Sequence, residues 1–313
     1  MNTYHTPVML QTCIEHLKLR PGGVYVDATL GAGGHTLAMV QACPQITVYA
    51  FDRDADAIAE AGKNLKDYPQ MQFIQAPFSN LRTELALRRV SSVDGVLFDL
   101  GVSSHQLDEA ERGFSFDKEA SLDMRMDGGQ SLTAAEIVND YPEQDLAHIF
   151  KAYGEEKQAK RMAKAILKAR SKAPLGTTTE LAKVVESVAG VGSRDSLKAK
   201  MRVFQALRIA VNQELTQFET ALPDAINLLK PAGRVLVLSY HSLEDRITKN
   251  IFKTLAKGCI CPVEQIICTC GLKPVLKVLT ARPLCASEEE QNQNTRSRSA
   301  KLRIAEKLKG DPR

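Results

Sequence analysis

Tryptophan is absent from this 313-residue sequence, and aromatic residues make up only 5% of it. A platform of stacked aromatic side chains for single-stranded nucleic acid is therefore not apparent. No stretch approaches the roughly 18 consecutive apolar residues of a membrane-spanning helix. The first seven residues, Met1-Asn2-Thr3-Tyr4-His5-Thr6-Pro7, lack the basic start and apolar run of a secretory signal. These absences predict a cytoplasmic protein with no membrane partner. Seven cysteines, an odd number, argue against a disulfide scaffold and leave reduced thiols or a metal site. A composition of 44% hydrophobic and 25% charged residues excludes a disordered tail and a collagen-like fibre, and the length allows a sizeable core.

Nor does one sign of charge dominate, with 41 basic against 37 acidic residues. The charge is nevertheless segregated. Residues 108–149 sum to −8, residues 150–202 to +8, and the tail 295–313 to +5. Lys160, Arg161, Lys164 and Lys168 recur at helical spacing and share one face. Such a face either meets phosphate backbone or is simply solvated. The tail bases Arg296 and Arg298 are a second candidate for RNA contact, with a structural alternative in the strand beside them.

The first hundred residues alternate short β-rich runs (24–26, 47–51, 72–74 and 93–98) with helical patterns, which predicts an open parallel α/β sheet. The run 93–98 is nearly all apolar, as a strand buried on both faces requires. From about 108 to 206 no convincing strand appears, and 131–153, 155–173 and 179–189 read as helices. A helix from Phe204 to Leu229, a strand at 234–238 and a helix at 243–257 follow. Late strands are expected at 276–279 and 301–304, the last with the strict alternation of an edge strand. The simplest organisation is one doubly wound sheet, residues 1–107 and 207–313, interrupted by an all-helical insertion at 108–206.

Asp27-Ala28-Thr29-Leu30-Gly31-Ala32-Gly33-Gly34-His35 sits at a strand-to-helix turn, where glycines let backbone approach a ligand. Asp52 lies 21 residues beyond Gly31, at the end of the second strand, where an acid accepts ribose hydroxyls. The third glycine of the nicotinamide fingerprint is missing, so an adenosine cofactor without pyrophosphate fits better than a dehydrogenase. Asp54 reads as a helix N-cap. Asp99 closes the fourth strand, at the crevice edge, and could hold an amino group for attack. Phe78 would flank an adenine or simply join the core. In Ser239-Tyr240-His241-Ser242-Leu243-Glu244-Asp245-Arg246, Ser242 and Asp245 form a capping pattern. That leaves Tyr240 and His241 unexplained beside Asp99.

The order of several segments resembles a known family across almost the whole chain. They are His5-Thr6-Pro7-Val8-Met9-Leu10, the Gly31–His35 loop, Phe51-Asp52-Arg53-Asp54, Asp99-Leu100-Gly101-Val102-Ser103-Ser104, Arg112-Gly113-Phe114-Ser115-Phe116, Leu122-Asp123-Met124-Arg125-Met126-Asp127, Phe204-Gln205-Ala206-Leu207-Arg208, Ser239–Arg246 and the tail Arg296–Arg303. The family is the bacterial 16S ribosomal RNA cytosine-N4 methyltransferases (RsmH/MraW). The resemblance implies a class I, Rossmann-like fold using S-adenosyl-L-methionine, with the helical insertion as substrate-recognition domain. It implies methylation of the exocyclic N4 of a decoding-site cytosine in 16S rRNA, within the small ribosomal subunit. Carried over by motif, the cofactor contacts are Gly33, Gly34, His35, Asp52, Phe78, Asp99 and Gln106, with Asp99 as catalytic residue. Asp99 is not followed by the Pro-Pro-aromatic run of many amino-methyltransferases, so Ser103 and Tyr240 stand beside it as candidate amino-group acceptors.

Cys13, Cys43 and Cys285 lie in no Pro-Cys context, which argues against a carbon-5 enzyme and its cysteine nucleophile. A non-catalytic RNA-binding assembly factor is the alternative from another class. Amino methylation needs no catalytic metal. Cys259, Cys261, Cys268 and Cys270 nevertheless form two close pairs that could supply four thiolates to a structural zinc. Their C-x-C spacing departs from the usual C-x-x-C. The same cysteines also read as reduced thiols packed as small apolar side chains.

Overall fold

The computed structural model describes residues 7–103, 109–262 and 264–309. Strands β1 (Val24–Asp27), β2 (Thr47–Asp52), β3 (Met71–Gln75), β4 (Val93–Asp99), β5 (Leu229–Ser239), β6 (Leu276–Val278) and β7 (Lys301–Lys307) form one sheet in the order β3-β2-β1-β4-β5-β7-β6. β1 to β5 run parallel and β7 is antiparallel to both its neighbours. This is the doubly wound, Rossmann-like sheet expected from the alternation of strands and helices. The strand order reverses between β1 and β4, and open α/β sheets bind ligands outside the strand carboxyl ends at such a point.

Helices cover both faces. On one side α1 (Leu10–Leu17) and α2 (Gly34–Ala42) contribute Cys13, Leu17, Met39 and Val40 to a core with Tyr25, Leu97, Leu236, Leu238, Leu302 and Ile304. On the other, Val26, Phe51, Val96, Phe98, Val235 and Val237 meet Phe218, Leu222 and Phe252. Odd and even residues of one strand thus enter opposite cores, which is why β4 and β5 read as unbroken apolar runs. The remaining helices of this unit are α3 (Ala55–Asn64), α4 (Leu81–Leu87), α11 (Ser242–Lys257) and α12 (Glu288–Gln293).

The chain divides into two compact units, one of residues up to Gly101 with those from Thr216 onward, the other Val102–Leu215. The second contains α5 (Ala134–Asp140), α6 (Glu143–Ala152), α7 (Ala159–Arg170), α8 (Thr178–Ala189) and α9 (Arg194–Asn212), and α10 (Glu214–Leu228) begins at its end. Its core gathers Leu146, Phe150, Met162, Ile166, Leu181, Val185, Val203 and Leu207. Thr133 with Glu136 and Thr177 with Glu180 form capping boxes at α5 and α8. The Leu122–Asp127 motif is structural. Asp123 grips the Arg125 guanidinium at 2.7 and 2.8 Å, and Asn212 accepts from the Met126 N–H and donates to the Met124 carbonyl, each at 2.8 Å.

Four local expectations are corrected. The helix expected over 131–153 is broken at Tyr141-Pro142, since proline cannot continue it. The helix expected over 204–229 is two helices, turned at Gln213 in the left-handed region (φ 52°). β7 is not the edge strand. It lies between β5 and β6, and Arg303, which set its polar alternation, is buried against Asp245 at 2.6 and 3.1 Å. Finally, α11 is capped by His241 with Glu244 rather than by Ser242 with Asp245.

Candidate active site

Three carboxylates stand at the carboxyl ends of adjacent parallel strands: Asp27 on β1, Asp52 on β2 and Asp99 on β4. Between β1 and α2 the chain turns through Gly31 (φ 52°) and Gly33 (φ 85°). A Cβ on Gly33 would stand 2.8 Å from Leu65 Cδ1, and one on Gly34 would stand 2.3 Å from Pro7 Cγ. Gly33 is therefore set by packing as well as by backbone conformation, and Gly34 by packing alone. The segment Pro7-Val8-Met9 lies against the loop, with the Val8 carbonyl 3.1 Å from His35 Nε2. This accounts for Pro7 and Val8 of the N-terminal motif, whereas His5 and Thr6 lie outside the described residues.

Asp52 holds the loop. Its Oδ2 accepts from the Gly31 N–H and its Oδ1 from the Asp54 N–H, both at 2.9 Å. Burial pushes its carboxyl up to about 6, against the pull of those two N–H groups. Asp54 caps α3, accepting from the Asp56 N–H at 3.1 Å, as its position suggested. Phe78 follows β3 in a single helical turn and meets Phe98 edge to face, with ring centres 5.8 Å apart. Gln106 lies outside the described residues, and Ser103 belongs to the second unit.

Asp99 is the most constrained of the group. Its Oδ1 accepts the Tyr240 hydroxyl at 2.6 Å, and its Oδ2 lies 3.5 Å from His35 Nδ1. The Thr29 hydroxyl oxygen accepts from the Asp99 N–H at 2.6 Å and so ties β4 to the glycine loop. Burial pushes the Asp99 carboxyl up to about 7, opposed by the Tyr240 hydrogen bond. Burial likewise holds His35 below the usual imidazole range and Tyr240 well above the usual phenol range. The Val8 carbonyl can only accept, so the neutral His35 ring carries its proton on Nε2 and turns a lone pair toward Asp99. His35 is buried, which leaves its backbone N–H in the first turn of α2 as the group open to a ligand.

Sequence reasoning placed Tyr240 beside Asp99 correctly and misjudged His241. The His241 Nδ1 accepts from the Glu244 N–H at 3.4 Å, while Glu244 Oε2 accepts from the N–H groups of Tyr240 (2.8 Å) and His241 (3.2 Å). It also passed over Asp27, buried and bonded by the Thr36 hydroxyl at 2.6 Å, and Thr29. The signal was available, because Asp27 ends its strand as Asp52 and Asp99 end theirs.

The model of the MraW methylase family matches residues 2–308. This chain belongs to that family. It is 48% identical over 310 residues to a ribosomal RNA small subunit methyltransferase H from Carboxydothermus hydrogenoformans, covering 98% of this chain and 99% of that one. A protein of the same name from Pelobacter propionicus is 46% identical over 308 residues, covering 97% and 98%. A third, from Finegoldia magna, is 43% identical over 311 residues, covering 98% and 100%. The match thus spans both units.

Away from the sheet, α7 shows two distinct faces. Ala159, Met162, Ala163 and Ile166 are buried, and Lys160, Arg161, Lys164 and Lys168 are exposed, with Lys157 in line just before the helix. In the tail, Arg303 is held by Asp245, and Arg298 Nε donates to the Gln291 carbonyl at 3.3 Å. Among the described residues no helix is long and apolar enough to cross a membrane.

Proposed function

We propose that this chain methylates the exocyclic N4 of a cytosine in the decoding site of 16S rRNA, within the small ribosomal subunit, using S-adenosyl-L-methionine. The observation that carries the reading is Asp99, a partly buried carboxylate at the carboxyl end of β4, fixed by Tyr240 beside the glycine loop. Family membership and the name shared by the relatives support ribosomal RNA of the small subunit as substrate. The residues fit the cofactor. The turn through Gly33 and Gly34 has no room for side chains, and Asp52 ends β2 where ribose hydroxyls are accepted. Gly33, Gly34, the His35 backbone, Asp52, Phe78 and Gln106 would hold it.

When bound, S-adenosylmethionine supplies an electrophilic methyl group and its own leaving group. The protein's task is alignment and exclusion of water. The cytosine amino lone pair is conjugated into the ring, so the nitrogen must pyramidalise and gain positive charge as it reacts. Ionised Asp99 accepts an N–H of that amino group, stabilises the charge as it develops and takes the proton released. Tyr240 keeps the carboxylate from rotating away. A carbon-5 mechanism is disfavoured because Cys13 is fully buried, and burial and the nearby Asp99 and Asp27 carboxylates keep its thiol protonated.

The test uses small subunits from a strain lacking the enzyme. They are incubated with the protein and S-adenosylmethionine, and the nucleosides are separated by mass spectrometry. N4-methylcytidine from one 16S position is expected. 5-Methylcytidine would overturn the mechanism, and failure to bind S-adenosylmethionine by calorimetry would favour an assembly factor acting through the basic face of α7.

A further inference from the structure

Four cysteines that take no part in this chemistry come together in the segment joining α11 to β6. Cys259 and Cys268 have sulfurs 3.6 Å apart, Cys268 and Cys270 3.5 Å, Cys270 and Cys259 3.8 Å, and Cys261 and Cys268 4.0 Å. All four sulfurs lie within 4.8 Å of one another. A tetrahedral ion with metal–sulfur bonds of about 2.3 Å requires sulfur–sulfur edges of about 3.8 Å. The cluster is thus close to the size of a tetrathiolate cage, even though C-x-C is an unusual ligand spacing.

The surroundings suit such a cage. Backbone N–H groups of Ile260 and Leu272 lie beside the Cys270 sulfur, and those of Thr269 and Cys270 beside the Cys261 sulfur. Donors of this kind orient thiolates and offset their charge. Gly271 takes a positive φ of 62° immediately after the second pair. The segment's two ends are already joined, since a Cβ on Gly258 would stand 2.3 Å from the Pro274 nitrogen, and the Val275 N–H donates to the Leu255 carbonyl at 2.8 Å. Among its described residues the segment has no apolar core of its own. Ile260, Ile266 and Ile267 are exposed, so burial of its apolar side chains does not hold it. Small units without a core use a disulfide or a metal.

We propose that Cys259, Cys261, Cys268 and Cys270 bind one zinc ion in a closed tetrahedral site that fixes this segment. Four S–H bonds break and four Zn–S bonds form. Four protons pass to solvent, no electron moves, and the site carries a net charge of −2. With no open position, the ion is structural rather than catalytic.

The full-length protein, purified without added metal or chelator, should contain about one zinc per chain, released as a mercurial reagent titrates four thiols. Replacement by cobalt(II) should give the visible bands of tetrahedral thiolate coordination. Cys261→Ser and Cys268→Ser should each lower zinc content at least tenfold. If these variants do not fold, the zinc content and cobalt spectrum of the unaltered protein decide. Less than about a tenth of an equivalent of zinc together with four freely titratable thiols, disulfides among these cysteines by non-reducing mass spectrometry, or iron in place of zinc would each overturn the assignment.

Discussion

Replacing Tyr240 with Phe removes one hydroxyl and, with it, the 2.6 Å hydrogen bond to Asp99 Oδ1. A hydrogen bond to a charged acceptor contributes roughly 1.5–3 kcal/mol, and each pKa unit corresponds to about 1.4 kcal/mol. Loss of the bond therefore raises the Asp99 pKa, which burial already holds at about 7, by about one to two units. The ionised carboxylate is the working form, so the acid limb of the kcat/KM profile should move toward alkaline pH by the same amount. At pH 7, Tyr240→Phe should lose roughly 5- to 50-fold in kcat/KM, and above about pH 9 it should approach the parent enzyme. The assay is methyl transfer from labelled cofactor to small subunits across pH 5.5–10, with kcat and KM separated. A plateau lowered equally at every pH, with the limb unmoved, would refute the reasoning and make Tyr240 a packing or substrate contact.

Three further outcomes are expected. Asp52→Ala should weaken cofactor binding by calorimetry by roughly 10- to 100-fold, the equivalent of about 1.5–3 kcal/mol. Unchanged affinity would mean that Asp52 only positions the Gly31 and Asp54 N–H groups. Asp99→Asn should abolish methyl transfer yet raise the melting temperature of the ligand-free chain at pH 8. The folded Asp99 pKa of about 7 lies above its unfolded value, so this group's stabilisation is fully present below about pH 4 and is lost as pH rises through 7. Asparagine does not titrate, and its advantage, roughly 2–4 kcal/mol at pH 8, should shrink toward pH 4. A melting difference independent of pH would exclude the linkage. Changing Lys160, Arg161, Lys164 and Lys168 to Ala should lower the slope of log affinity for RNA against log salt by about one per lost phosphate contact, whereas equal slopes would show a merely solvated face.

The parallel half of the sheet was legible because β1, β2, β4 and β5 each carry a short, largely buried apolar run, which in the first three ends in an aspartate. What local pattern could not supply was the partner of each polar residue. Arg303 gave β7 the alternation of an edge strand only because its ion-pair partner, Asp245, lies 58 residues earlier, on α11. The same pairing removed Asp245 from the capping role its spacing suggested and left His241 and Glu244 to form the box. The turn at Gln213 carries neither glycine nor proline. It is spanned by the Arg208–Glu214 ion pair, at 2.8 and 2.9 Å, which no helical periodicity reveals.

Asp99 and Tyr240, by contrast, could be brought together from topology alone, although 141 residues separate them. β4 and β5 are parallel neighbours, and their register sets Asp99 opposite Leu238. Tyr240 then follows two residues beyond, where β5 has ended and α11 begins. At that corner Glu244 holds the Tyr240 N–H at 2.8 Å, and Gly101 presents no side chain to the ring, since a Cβ there would already lie 3.4 Å from Tyr240 Cδ2. The backbone is fixed from one side and the ring from the other, so the hydroxyl has little freedom but to meet the carboxylate. A substitution at Gly101 would meet both the ring and an unfavourable φ of 100°. The glycine that follows the acid by two residues thus turns the chain where other residues would be strained and leaves the Tyr240 ring its place beside Asp99.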